Sequence, residues 1–202
     1  MSTDTIFHVF TGERDEDWEY VIPYDATHVS IHESVTVIPR GAFKWHTSII
    51  QLICHPGVKR IEAEAFSGCT RLKYAIIPGV EVVEYGAFER CKALEYIDCD
   101  RLERIHEGAF EHCNSLVSIN LPSAKFIDCD TFVECETLRH VKCSRMLEEI
   151  WSDAFVGCRS LEQITIPLKN GLFEHDDTFC WCQSFHQIHL VDFHEEFRVQ
   201  GS

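Results

Sequence analysis

Ala109-Phe110-Glu111-His112-Cys113-Asn114-Ser115-Leu116 is one copy of a unit that recurs along the chain. Ala65-Phe66 leads to Cys69 and Leu72, Ala87-Phe88 to Cys91 and Leu94, and Ala154-Phe155 to Cys158 and Leu161. Thr131-Phe132 keeps the pattern with Cys135 and Leu138. The repeat phenylalanines are Phe43, Phe66, Phe88, Phe110, Phe132, Phe155 and Phe179, at spacings of 23, 22, 22, 22, 23 and 24 residues. A fixed period of this length is the signature of a stacked-repeat architecture. One unit cannot bury its own apolar face. Stacked copies can, by setting Phe on Phe, Cys on Cys and Leu on Leu in columns.

Each copy has two halves. In the first, Ile105, Ala109, Phe110 and Cys113 fall three to five residues apart, which predicts a helical turn with one buried face. The second, Leu116-x-x-Ile119-x-Leu121-Pro122, ends in alternation and predicts a short strand. Pro78, Pro122 and Pro167 stop that strand without removing an internal ladder donor. Leu116, Ile119 and Leu121 then face the core, and the residues between them face out.

The ends differ from the middle. Ile6–Phe10 reads as a strand, residues 11–19 as an acidic surface loop, and Ala26-x-x-Val29-x-Ile31 as a strand with no Ala-Phe turn before it. Residues 1–34 are therefore expected to form an N-terminal cap with a zeroth strand, residues 35–192 a solenoid of seven repeats, and residues 193–202 a short C-terminal tail or cap.

Charge and cysteine usage narrow the setting. Lys+Arg total 18 and Asp+Glu 33, a net charge of −15. That balance argues against nucleic acid or an anionic membrane as the partner and suits a basic protein, a cation or a neutral ligand. No apolar run reaches the roughly 18 residues of a membrane span. The first residues carry no basic-then-apolar leader. A cytoplasmic location is expected, with a surface location as the alternative. Of 11 cysteines, Cys69, Cys91, Cys113, Cys135, Cys158 and Cys182 lie three residues after a repeat Phe. Cys54, Cys99 and Cys143 share a second repeat position, and only Cys129 and Cys180 fall outside both. An odd count set by repeat register predicts buried, reduced thiols.

The spacing Leu-x-x-Ile-x-Leu-Pro followed by x-x-x-Ile-x-x-x-Ala-Phe-x-x-Cys resembles the BspA-type leucine-rich repeat, over about residues 26–192. The resemblance implies an α/β repeat solenoid: a curved right-handed leucine-rich repeat with a parallel concave sheet and short helical turns on the convex side. It implies binding rather than catalysis, and no cofactor. Many relatives are secreted or attached to a surface.

Candidate site residues follow from the strand pattern. Two residues after the repeat Leu come Gln51, Tyr74, Tyr96, Ser118, His140, Gln163 and Gln187 on the concave side. Four residues after it come Ile53, Ile76, Asp98, Asn120, Lys142, Thr165 and His189. Tyr74 and Tyr96 beside Ile53 and Ile76, with Asp98 and His140, form the predicted binding surface, since aromatic anchors dominate interfaces. The competing explanation is ordinary cross-strand packing. Acids on the convex turns, Glu62, Glu64, Glu84, Glu107, Asp128, Asp130 and Asp153, are accounted for by the dipole and unmade N–H groups of helix N-termini. His175, Cys180, Cys182, His186 and His189 form a Cys/His-rich run that could hold zinc, although Cys182 sits in the core register and finger-type C-x-x-C spacing is absent. No nucleophile elbow, phosphate-binding loop or dinucleotide fingerprint is present. The expected function is a non-catalytic scaffold that binds a protein partner through the concave sheet or an end of the solenoid. The alternatives are a small-ligand or metal-binding protein using the C-terminal Cys/His group and an adhesin-like surface array.

Overall fold

The computed structural model describes residues 5–16, 20–173 and 176–191, without the side chain of Asp176. Its strands, in chain order, are β1 (Phe7–Phe10), β2 (His28–Ile31), β3 (Val37–Ile38), β4 (Gln51–Ile53), β5 (Arg60–Ile61), β6 (Tyr74–Ile76), β7 (Val82–Val83), β8 (Tyr96–Asp98), β9 (Arg104–Ile105), β10 (Ser118–Leu121), β11 (Phe126–Ile127), β12 (His140–Cys143), β13 (Glu149–Ile150), β14 (Gln163–Pro167) and β15 (Gln187–Val191). They wind into a parallel-strand solenoid. From β2 onward, each coil to β13 sends one strand of three or four residues to a broad face and one two-residue strand to a narrow face. The broad face orders β1-β2-β4-β6-β8 and, as a separate sheet, β10-β12-β14-β15. The narrow face is one sheet, β3-β5-β7-β9-β11-β13.

The predicted broad-face strands are present, and Leu116, Ile119 and Leu121 are buried on them. The narrow-face strand replaces part of the predicted helical half: Ile105 lies in β9, paired with Val83 and Ile127. Val58-x-x-Ile61, Val80-x-x-Val83 and Leu102-x-x-Ile105 repeat the spacing of the broad-face strands, so each copy carries the strand signal twice.

The helical turns are absent, and the assignment to an α/β class is corrected with them. Among the described residues the one helical piece is the 3-10 turn Asp176–Phe179. Around each repeat Phe from Phe43 to Phe155 the backbone turns left-handed twice, and around Phe179 once. Two residues before Phe, Gly41, Glu64, Gly86, Gly108, Asp130 and Asp153 have φ between 54° and 63°. Two residues after it, Trp45, Gly68, Arg90, His112, Glu134, Gly157 and Trp181 have φ between 54° and 75°. A right-handed helix cannot pass through such residues.

The hydrogen bonds show what replaces it. Ala65, Ser67 and Cys69 donate their amides locally, to the carbonyls of Glu62, Glu64 and Phe66. Glu64, Phe66 and Gly68 donate to Tyr85, Ala87 and Glu89 of the next coil at 2.7–2.8 Å. Alternate amides thus close the turn and tie the coil to its neighbour. An α-helix would spend every amide within its own coil.

Side chains follow the same stacking. The rings of Phe43, Phe66, Phe88, Phe110, Phe132, Phe155 and Phe179 are near-parallel, with centroids 4.8–5.6 Å apart and interplanar angles of 5–9°. Phe10 extends this column at one end, 4.8 Å from Phe43, and Tyr20 packs edge-on over Phe10 at 5.6 Å. Phe185 extends it at the other, 4.4 Å from Phe179. The strand expected at residues 6–10 is β1, paired in parallel with β2. The tail at 193–202 lies outside the described residues.

Two substitutions separate packing from backbone conformation. Phe110→Ala removes a fully buried ring from the middle of the column and should cost about 3–5 kcal/mol in urea titration. Gly108→Ala leaves room for the methyl, whose nearest neighbour is Glu111 Oε2 at 3.4 Å, so its cost should be the left-handed penalty alone, about 1–2 kcal/mol.

Candidate functional site

The interior offers no reactive group. Eight of the 11 cysteines are buried, and Cys129, Cys180 and Cys182 are half-buried. Cys69, Cys91, Cys113, Cys135, Cys158 and Cys182 each point Sγ at the carbonyl of the repeat Phe one coil back, at 3.1–3.3 Å. That carbonyl also accepts the amide of its own turn's cysteine in each copy from Phe66 to Phe155. The thiol therefore occupies the second lone pair of a buried acceptor. Burial pushes the thiols of Cys54, Cys69, Cys99, Cys135 and Cys143 up to about 12. A thiol held neutral in this way is a poor nucleophile.

The described members of the Cys/His-rich run do not converge. Cys182 Sγ is engaged with Phe155 O, Cys180 Sγ lies 3.6 Å from Asp177 Oδ1, and His186 Nδ1 lies 2.7 Å from Ser184 O. His189 sits in β15 opposite Thr165. Among the described residues, the group whose ligand atoms come within 4.8 Å of one another is Glu107, Cys129 and Asp130, on a turn edge. His175 lies outside the described residues. Of the convex acids, Glu64, Glu84 and Asp128 pair with cations of their own or adjacent coils.

The broad face carries one group of exposed apolar side chains. Parallel register fixes two rows across β1, β2, β4, β6 and β8. One runs Phe7, His28, Gln51, Tyr74, Tyr96; the other runs Val9, Ser30, Ile53, Ile76, Asp98. Phe7 is 77% exposed, Val9 52%, Ile53 44%, Tyr74 39% and Tyr96 53%. Tyr74, Tyr96, Ile53, Ile76 and Asp98 are thus neighbours. Phe7 and Val9 were not singled out from the sequence. Their alternation was visible, but the register of β1 on β2 was not.

His140 stands apart, in β12, 3.7 Å from Glu162 Oε2. Its sheet presents Ser118, His140, Gln163 and Gln187 in one row and Asn120, Lys142, Thr165 and His189 in the other. Ser118, Asn120, His140, Lys142, Gln163 and Thr165 line a shallow polar groove of about 330 Å³. The change from apolar to polar falls where the broad face is divided, between β8 and β10.

Residues 24–127 and 103–198 match the model of the BspA-type leucine-rich repeat region, in six copies. The chain belongs to the BspA-type leucine-rich repeat family. Its fold is similar to a leucine-rich repeat protein from T. pallidum at 22% identity and a TM-score of 0.73, covering 87% of both chains. It is also similar to a leucine-rich repeat protein from Eubacterium ventriosum at 19% identity and a TM-score of 0.59, covering 81% of this chain and 55% of that one. No curated protein matches the sequence. No helix among the described residues is long and apolar enough to cross a membrane.

Thiol labelling of the native protein tests the interior. At neutral pH the fast-reacting cysteines should be confined to Cys129, Cys180 and Cys182, with the rest reacting only in denaturant. Fast labelling of Cys113 would contradict the buried column.

Proposed function

We propose that this protein is a non-catalytic interaction module, and that the broad face is the concave side of a curved solenoid that docks another protein. The observation that carries this reading is the patch of Ile53, Tyr74, Ile76 and Tyr96 on β4, β6 and β8, with Phe7 and Val9 on β1 in the same rows beyond His28 and Ser30 of β2. Most of these residues are substantially exposed, and none is needed to complete the core, which Phe, Leu, Ile and Cys columns already fill. Leaving Tyr and Ile in water forgoes the stabilisation of burying them, whereas a partner that covers them recovers it. Two tyrosines side by side supply the large, rigid, amphipathic contact area that interface anchors share. Ordinary cross-strand packing accounts for contact between Tyr74 and Tyr96 but not for the exposed Ile53 on β4 or the exposed Phe7 and Val9 on β1.

Affinity capture from the native source, repeated with Tyr74→Ala/Tyr96→Ala, tests the reading. The double variant should fold like the parent and lose the captured protein, since anchor truncations cost about 2 kcal/mol or more each. Unchanged capture would remove the broad face from consideration.

A further inference from the structure

The apolar patch ends at a defect in the sheet. No backbone hydrogen bond joins β8 to β10, although the turns on either side stay tied: Phe88 donates to Ala109 and Arg90 to Glu111, both at 2.8 Å. The narrow face also runs through unbroken, with β7 on β9 and β9 on β11. What spans the gap on the broad face is a long thiol contact, Cys99 Sγ to Asn120 O at 3.6 Å, and, just past the strand ends, Ser123 Oγ donating to Asp100 O at 2.7 Å. The opening is a cleft of about 170 Å³ lined by Glu95, Tyr96, Asp98, Asp100, Ser118 and Asn120, with Ile97 and Cys99 at its floor. That is below the about 300–1,000 Å³ of small-molecule sites, and closer to the room a single side chain needs.

The charges in this cleft are not balanced. Several acids elsewhere are matched along the stack, Glu81 with Lys59, Glu84 with Arg60, Glu103 with Lys125 and Glu162 with Arg139, while the chain as a whole keeps a net charge of −15. Glu95 itself is held by Lys73 at 3.0 Å and by the Tyr74 hydroxyl at 3.4 Å. Asp98 and Asp100 have neither an ion pair nor a side-chain hydrogen bond among the described residues. Arg101, next in the chain, does not line the cleft. Two unmatched carboxylates, the face of an exposed tyrosine and two polar side chains, Ser118 and Asn120, surround one opening. A guanidinium or ammonium is the group that such a set satisfies, through charge-assisted hydrogen bonds and contact with the ring.

We propose that the broad face receives a segment of a partner protein whose apolar side chains lie over Tyr74, Tyr96, Ile53 and Ile76 and whose adjoining lysine or arginine enters the β8–β10 cleft against Asp98, Asp100 and Tyr96. This rests on the docking reading above and names the chemistry of the partner. The partner is cationic at one defined point and apolar beside it. The net charge of −15 works in the same direction, by drawing in basic segments and repelling acidic ones.

The test is selection of phage-displayed random short peptides on the intact protein, followed by affinity measurement with the synthetic consensus peptide. The expected consensus places one Arg or Lys next to apolar or aromatic residues. Replacing that cation with citrulline, or Asp98 and Asp100 with Asn, should weaken binding roughly tenfold or more, and added salt should weaken it further. Asp98→Glu should retain most of the affinity, which separates lost charge from lost folding. An acidic or purely apolar consensus, no enrichment, or equal affinity for the Asp98→Asn/Asp100→Asn variant would overturn the proposal. So would competition by calcium ions alone, which would make the cleft a cation site. The two readings fail separately. If the captured partner is lost with Tyr74→Ala/Tyr96→Ala but held unchanged by the Asn variant, docking stands and the cation cleft falls. If the Tyr variant also holds it, docking itself falls.

Discussion

Backbone amides that alternate between their own turn and the next coil govern this structure. A coil whose amides all closed locally would be a helix and would owe nothing to its neighbours. Here Glu64, Phe66 and Gly68 hand their hydrogens to Tyr85, Ala87 and Glu89, and the left-handed residues on either side of Phe66 aim those amides along the stack. Several of these positions are filled by Glu, Arg, His, Asp and Trp, for which positive φ costs energy. Hydrogen bonds along the stack and burial of the Phe ring offset that cost only when a neighbour is present. Folding and stacking are then the same event, as expected for a quasi-one-dimensional protein.

The same ladder explains the unusual cysteine content. A buried Phe carbonyl whose first lone pair takes a turn amide still has a second, and leaving it unmet inside an apolar column costs free energy. A thiol is small enough for the column and donates weakly to that oxygen, as Cys113 does to Phe88. Cysteine here is a core residue with one polar duty. Function therefore moves away from the motif that dominates the chain and onto residues that interrupt it. The apolar row of β1 to β8, the break after β8 and the unmatched Asp98 and Asp100 all lie on the broad face, where repeat constraints are weakest.

Leu-x-x-Ile alternation, the columns of Phe, Cys and Leu, and the side-by-side placement of Tyr74 and Tyr96 were legible from the sequence, because a strict period forces equivalent residues into the same place. The turn was misread for a physical reason. Ile105, Ala109, Phe110 and Cys113 are spaced as on a helix, but two successive turns bring every third or fourth side chain inward just as well. The discriminating sign was glycine at Phe−2 in Gly41, Gly86 and Gly108 and at Phe+2 in Gly68 and Gly157. Glu64, Arg90, His112 and Glu134 in the equivalent places obscured it.

Sequence by itself thus determined a stack of like coils, its buried columns and its outward rows, since each follows from period and alternation alone. The tertiary structure decided that the coils are strands and turns rather than strands and helices, because the choice depends on where amides go. It also decided that β1 places Phe7 and Val9 beside His28 and Ser30, in the rows of Gln51 and Ile53, and that the broad face parts between Tyr96 and Ser118. The 22 residues from Phe88 to Phe110 match the copies around them, so no spacing announces that gap. Only the loss of backbone hydrogen bonds between two particular strands opens it, beside the carboxylates of Asp98 and Asp100.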